Sequence, residues 1–178
     1  MPIVILSGPP GSGKSSLANA LMARFPFGLH IPLDDLRAWV VSGIAHPIPI
    51  WTDETTRQFT LARQTAAETA RHYHAAGFAV AIDDILFPDD ARRFFLEPLA
   101  GLPVHLIRLL PTVETCLARN AARTNKDFDT ALLDDAVREV HVAMTREDAA
   151  FTRPPWHCLD TTGQSLDKTV SNLLALVQ

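Results

Sequence analysis

The chain has 178 residues, which at roughly 150 residues per domain accommodates one domain with a short insertion. Hydrophobic residues make up 47% and charged residues 20%, which excludes a disordered, collagen-like or coiled-coil chain. The formal net charge of −4 argues against a general nucleic-acid binder, whose footprint is basic.

Short apolar runs alternate with longer amphipathic segments along the chain. Residues 3–6 form the first run and read as a buried strand. The helix that follows places Leu17, Leu21 and Phe25 on one face with Ala18 and Ala20. A second strand is expected over 29–33, running into Asp34, Asp35, Leu36 and Arg37. Residues 42–51 hold Gly43, Pro47 and Pro49 and read as a loop. Residues 55–76 read as one long Ala-rich helix closed by Gly77. The third strand, 78–82, leads into Asp83 and Asp84, and Asp89 and Asp90 behind Pro88 are expected to cap a helix. A fourth strand spans 104–109. Thr112 is the expected N-cap of a helix reaching Ala122. The polar stretch 124–130 and a helix over 132–149 follow. A weaker strand at 157–159 precedes a last helix, 165–177, with Leu166, Val170, Leu173, Leu174 and Val177 on one face. This alternation predicts an α/β fold: five parallel strands with helices on both faces.

The two cysteines, Cys116 and Cys158, belong to no paired or metal-binding pattern and are expected to be reduced, largely buried thiols. The seven histidines are scattered, and His72 and His74 stand two apart, so zinc-ligand spacing is absent. The apolar run near the N-terminus is too short for a signal peptide, and no run reaches the roughly 18 residues of a membrane span. A cytoplasmic protein with no membrane partner is the expectation; oligomeric state stays open.

The chemistry concentrates in a few places. Gly8-Pro9-Pro10-Gly11-Ser12-Gly13-Lys14-Ser15 matches G-x-x-x-x-G-K-[ST] at every fixed position, between a strand and a helix. Glycines let backbone N–H groups turn inward onto phosphate oxygens, and the helix N-terminus adds positive potential. In this pattern Lys14 reaches the outer phosphates and the Ser15 hydroxyl ligates Mg²⁺; Ser16 and Arg119 are counted with the loop as nucleotide-binding residues.

Carboxylates follow two strands. Asp34 can accept a proton from an attacking hydroxyl, and Arg37, three residues on, can grip an anionic or polar substrate group; the competing reading is a helix cap with first-turn acid. Asp83 fits the metal side of the site and Asp84 the substrate side. Arg119 and Arg123, four apart, share a helix face and can stabilise a transferring phosphoryl group, or simply complement the helix dipole. Arg138 and Arg146 read as ordinary exposed charges. Asn125-Lys126-Asp127-Phe128 fails the guanine-reading pattern at its fourth position. Asp160-Thr161-Thr162-Gly163 is either an approach to the nucleotide base or a polar turn. Trp39 and Trp51 either line an apolar acceptor pocket or pack the loop between them.

On these residues the chain resembles the P-loop small-molecule kinases, most closely the chloramphenicol phosphotransferase-like group. The marks are Gly8 to Ser15, Leu33-Asp34, Ile82-Asp83-Asp84-Ile85, Arg119 with Arg123, and Asp160-Thr161-Thr162, spread over nearly the whole chain. The resemblance implies a three-layer P-loop NTPase fold with strand order 2-3-1-4-5, a single domain over 1–178, and a mobile lid near 119–131. It also implies ATP and Mg²⁺ as cofactors and Asp34 as the base that deprotonates a small-molecule hydroxyl acceptor. Asp34-Asp35-Leu36-Arg37 is similar to the D-D-x-R of polynucleotide kinases and zeta-toxin-like kinases. That arginine departs from the antibiotic-kinase pattern and turns the expectation toward an anionic acceptor. Two alternatives remain: a regulatory nucleotide-binding NTPase without an acceptor, and a polynucleotide 5′-kinase, which would need a basic channel.

Overall fold

A parallel strand covered on both faces must be apolar along its length, and the two central strands meet that condition. β1 (Ile3–Ser7) and β3 (Ala79–Asp83) are buried at every position. The computed structural model describes residues 1–122, 133–151 and 154–177. It joins these strands to β2 (Gly28–Pro32), β4 (Val104–Leu109) and β5 (Trp156–Leu159) in one parallel sheet of order β2-β3-β1-β4-β5. Each strand lies within one residue of the sequence expectation.

The register sets the geometry of the site. Leu6 pairs with Asp83, Pro32 with Asp83, and Ser7 with Arg108, so the ends of β1, β2, β3 and β4 are level. Their connecting segments leave from one edge. β1 has β3 on one side and β4 on the other, and the chain crosses over between them, which opens a crevice past the end of β1.

Helices cover both faces. α1 (Lys14–Met22) and α8 (Leu166–Val177) seal one, with Leu17, Leu21, Val170 and Leu173 packed on Val4, Leu6 and Ile107. Each such side chain contributes about 1.5–3 kcal/mol on burial. On the other face lie α2 (Leu33–Ala38) and the long α3 (Asp53–Ala75). The short α4 (Pro88–Ala91), with a π-helical turn over Arg92–Leu96, and α6 (Asp134–Arg146) and α7 (Asp148–Phe151) complete that layer. α3 meets the sheet through Ala62, Ala66, Ala67 and Ala70, whose small side chains let the helix sit close to the strands. α5 (Val113–Ala121) flanks the loop after β1.

Differences from expectation have local causes. α3 begins two residues early because Thr52 and Thr55 form a reciprocal cap: the Thr52 hydroxyl accepts the Thr55 N–H at 3.1 Å, and Thr55 Oγ1 accepts the Thr52 N–H at 3.3 Å. The helix expected over 132–149 stops at Arg146, where Glu147 caps it, and resumes as α7. Asp89 and Asp90 are not caps: Phe87 holds the N-cap position of α4, and both acids sit in its first turn. Cys116 is buried as expected, but Cys158 is exposed, because β5 lies at the sheet edge. Thr112 does cap α5, accepting the Thr115 N–H at 3.3 Å. Among the described residues, no helix is long and apolar enough to cross a membrane.

Candidate active site

The loop 8–13 turns from β1 into α1 with left-handed backbone at Gly11 (φ +79°) and Gly13 (φ +95°), a region that side chains rarely tolerate. Gly11 also presses against α5, and a methyl group there would run into the Cys116 carbonyl. The loop therefore requires glycine at this position for two independent reasons. Lys14 lies across the loop, its Nζ donating to the carbonyls of Gly8 at 2.8 Å and Pro9 at 3.1 Å.

Next to Lys14, the Ser15 hydroxyl donates to Asp83 Oδ2 at 2.6 Å. The other carboxylate oxygen, Oδ1, stands 2.7 Å from His30 Nε2 on β2. Burial pushes the Asp83 pKa up. The His30 and Ser15 hydrogen bonds and the Lys14 charge outweigh it and hold this carboxyl below the usual carboxylate range. Asp83 is thus an anion aimed at the phosphate loop. A hydroxyl and a carboxylate are hard oxygen donors, the set that suits Mg²⁺ when nucleotide phosphates complete its shell. Among the described residues, no cluster of three or more His, Cys, Asp or Glu could hold a metal by itself.

On the acceptor side, Pro32 is the N-cap of α2, which leaves Asp34 and Asp35 as exposed acids of its first turn. Neither aspartate is the cap, and both are first-turn acids, as the competing reading had them. Arg37, one turn on, is only 6% exposed. Its Nη2 donates to the Ala45 carbonyl, its guanidinium lies 3.9 Å over the Phe59 ring, and its Nε is buried with no partner among the described residues. Burial lowers the Arg37 pKa, while the nearby charges of Asp34 and Asp84 act to raise it.

Asp84 is gripped from α3. Arg63 Nε donates to its Oδ2 at 2.8 Å and the Ile85 N–H to its Oδ1 at 2.7 Å. Burial dominates its titration and raises the pKa to about 6 against the pull of Arg63. Arg63 also reaches Asp90, at 3.0 Å.

Arg119 joins the far wall of the site. Its Nη1 donates to the Ser12 carbonyl at 3.2 Å and Thr161 Oγ1 at 3.3 Å, and its Nη2 to the Thr161 carbonyl at 3.0 Å. The Asp160-Thr161-Thr162 turn is therefore tied to the phosphate loop. Arg123 and the stretch 124–130 lie outside the described residues, so of the expected lid only its first residues are seen. Arg138 and Arg146 are exposed. Trp51 packs the 42–51 loop on α3, stacking on Phe59 at 4.9 Å and donating to Thr56 Oγ1 at 2.7 Å; Trp39 stays 70% exposed.

Two site residues escaped the sequence reading. His30 is a polar residue inside an otherwise apolar strand run. Arg63 stands at helical spacing from Phe59, Ala66 and Ala70, a charge on the face that meets the sheet. Both are anomalies of pattern, and each meets an aspartate at the end of β3: His30 meets Asp83, the strand's last residue, and Arg63 meets Asp84, the next one.

Solved structures of similar fold include a tunicamycin resistance protein from Deinococcus radiodurans (TM-score 0.63, 19% identity, 99% of this chain and 95% of that one). A sugar kinase from Janibacter sp. HTCC2649 matches with TM-score 0.66 and 19% identity over 98% of this chain and 93% of its own. A gluconokinase from Sinorhizobium meliloti 1021 matches with TM-score 0.66 and 19% identity over 98% and 92%. At these identities the likeness is one of fold, and it is the P-loop NTPase fold. No curated protein matches the chain in sequence. The AAA domain family model matches residues 3–146, and the chain belongs to that family.

Proposed function

We propose that the protein is an ATP-dependent phosphotransferase that moves the γ-phosphoryl group to a hydroxyl of a small molecule, with Asp34 as general base. One arrangement carries this reading. An exposed carboxylate stands one residue into α2, at the same sheet edge as Lys14 and Ser15, with the charges of Arg37 and Asp84 close by. Arg37, buried one turn further on, adds a fixed cation beside that carboxylate, which suits a polar or anionic acceptor. The fold shared with a sugar kinase and a gluconokinase supports the same conclusion.

In this reading the backbone of 8–13 and Ser16 hold the phosphates, and Ser15 with Asp83 holds Mg²⁺, which when bound draws charge off the phosphate oxygens. Asp34 takes the proton of the acceptor hydroxyl as its oxygen bonds to the γ-phosphorus, and the bond to the bridging oxygen of ADP breaks. Lys14 and Arg119 place positive charge on the transferring group, with Arg123 as the expected second arginine. Arg37 orients the acceptor, and Asp84 fixes the wall beside it. The acceptor lies between the strand ends and the 42–51 loop. That loop is braced: Gln58 Nε2 donates to the Gly43 carbonyl at 2.8 Å, and the Ala45 N–H to Gln58 Oε1 at 2.9 Å.

An ATP-consumption screen over hydroxyl metabolites, antibiotics and short oligonucleotides tests the proposal, with Lys14→Ala as blank. For the acceptor found, Asp34→Asn is expected to keep nucleotide binding and lose at least about 100-fold in transfer. Unchanged transfer removes Asp34 from the mechanism, and water-only hydrolysis across the panel favours the regulatory NTPase.

A further inference from the structure

The two oxygens of Asp83 are held by two different elements. Oδ2 accepts from Ser15 on α1 at 2.6 Å, and Oδ1 faces His30 on β2 at 2.7 Å. The His30 and Asp83 side chains are 11% and 8% exposed, so water has little access to this bond. An ionised carboxylate can only accept, which requires His30 Nε2 to carry the hydrogen. We infer that His30 is a positioning residue for the metal side of the site: its Nε2–H pins Asp83 Oδ1 so that Oδ2 stays turned to Ser15 and the cation. The inference rests on the reading of Ser15 and Asp83 as the Mg²⁺-holding pair.

The physical case is that a carboxylate free to rotate about its last bond spreads its charge over several directions, and a second hydrogen bond removes that freedom. His30 serves a second purpose by its place in the chain. Among the described residues β2 is an edge strand paired with β3 alone, and four residues after His30 the chain reaches Asp34. The His30–Asp83 bond adds a side-chain tie to the backbone ladder. It ties the strand leading to the proposed base to the strand that carries the metal carboxylate.

Titration of a fluorescent ATP analogue, in Mg²⁺ and in EDTA, tests this by binding alone. His30→Ala is expected to weaken the Mg²⁺-dependent part of the affinity by about 10–100-fold, the usual effect of removing an outer partner of a metal ligand, and to leave the EDTA value unchanged. His30→Gln, whose amide N–H reaches about as far as Nε2, is expected to restore most of it. Equal loss in EDTA, no loss in either condition, or no rescue by glutamine overturns the role. Should His30→Ala fail to fold, the unmodified protein still answers. Nitrogen-15 spectra of the His30 ring are expected to show hydrogen on Nε2 and a change at that nitrogen on adding Mg²⁺ with nucleotide. A bare Nε2, or no change, overturns the inference. Asp83→Asn separates the two layers of the argument. If it leaves the Mg²⁺ dependence intact, the metal reading and this inference both fall. If it abolishes the dependence while His30→Ala leaves it unweakened, the inference about His30 alone falls.

Discussion

Arg63 Nε donates to Asp84 Oδ2 at 2.8 Å in a pair whose side chains are only 9% and 4% exposed. The same guanidinium reaches Asp90 Oδ2 at 3.0 Å and the Ile85 carbonyl at 3.3 Å, and lies between the Phe59 and Phe94 rings. One side chain of α3 thus clamps the segment that leaves β3 at the edge of the candidate site.

Breaking this clamp on one side strands a buried charge. Arg63→Ala is expected to cost about 3–5 kcal/mol, because Asp84 is left without its cation. The double variant Arg63→Leu with Asp84→Leu is expected to cost clearly less than the summed losses of Arg63→Leu and Asp84→Leu alone. Urea denaturation of the four proteins measures the coupling; additive costs would mean the pair contributes nothing as a pair.

Asp84 also makes stability depend on pH. Its folded pKa, about 6, lies above the ordinary carboxylate value, so between the two the folded protein keeps a proton that the unfolded chain releases. This contribution is full below about pH 4 and is lost as pH rises through the folded pKa. Asp83 acts in the opposite sense, since its pKa is lowered: its contribution is present above the ordinary value and lost as pH falls. Asp84→Asn is expected to gain about 1–3 kcal/mol relative to the unmodified protein between pH 4 and pH 7. Denaturant melts at several pH values check this, and a pH-independent difference contradicts it.

The phosphate-loop glycines separate by their surroundings. At Gly13 an added methyl group would find Arg119 Nη1 at 3.7 Å, an ordinary contact, whereas at Gly11 it would strike the Cys116 backbone. Gly13→Ala is expected to cost about 1–2 kcal/mol from its left-handed backbone alone, and Gly11→Ala about 3 kcal/mol or more with loss of nucleotide binding. Thermal melts and a binding titration decide, and equal costs would show that α5 gives way.

Arg119 bonds three acceptors with two nitrogens, a fork that lysine cannot reproduce. Arg119→Lys is expected to weaken nucleotide affinity about 10-fold despite keeping the charge, and Arg119→Ala about 100-fold. Calorimetric titration measures both. If the lysine variant binds as tightly as the unmodified protein, charge rather than the fork is what matters.

Local patterns made much of the protein legible from its residues. Short aliphatic runs ended by Gly, Pro or Asp located all five strands, and the spacing of Gly8, Gly13, Lys14 and Ser15 between strand and helix located the phosphate loop. Caps were harder. Thr112 was visible at the start of α5, but Thr52 was not, because its partner is a threonine rather than the glutamate that usually completes such a cap.

By itself, then, the sequence determined the five strands and the strand–loop–helix that makes the candidate phosphate loop, because strand periodicity and a glycine-lysine loop act between near neighbours in the chain. Only the tertiary structure decided which charges meet. Asp83 and Asp84 are adjacent and alike in sequence, yet His30 and Ser15 hold the pKa of one below the usual carboxylate range, while burial raises that of the other to about 6 despite its bond to Arg63. Successive residues at a strand end point in different directions, so what each one meets is set by packing between β2, α1 and α3 rather than by residue type.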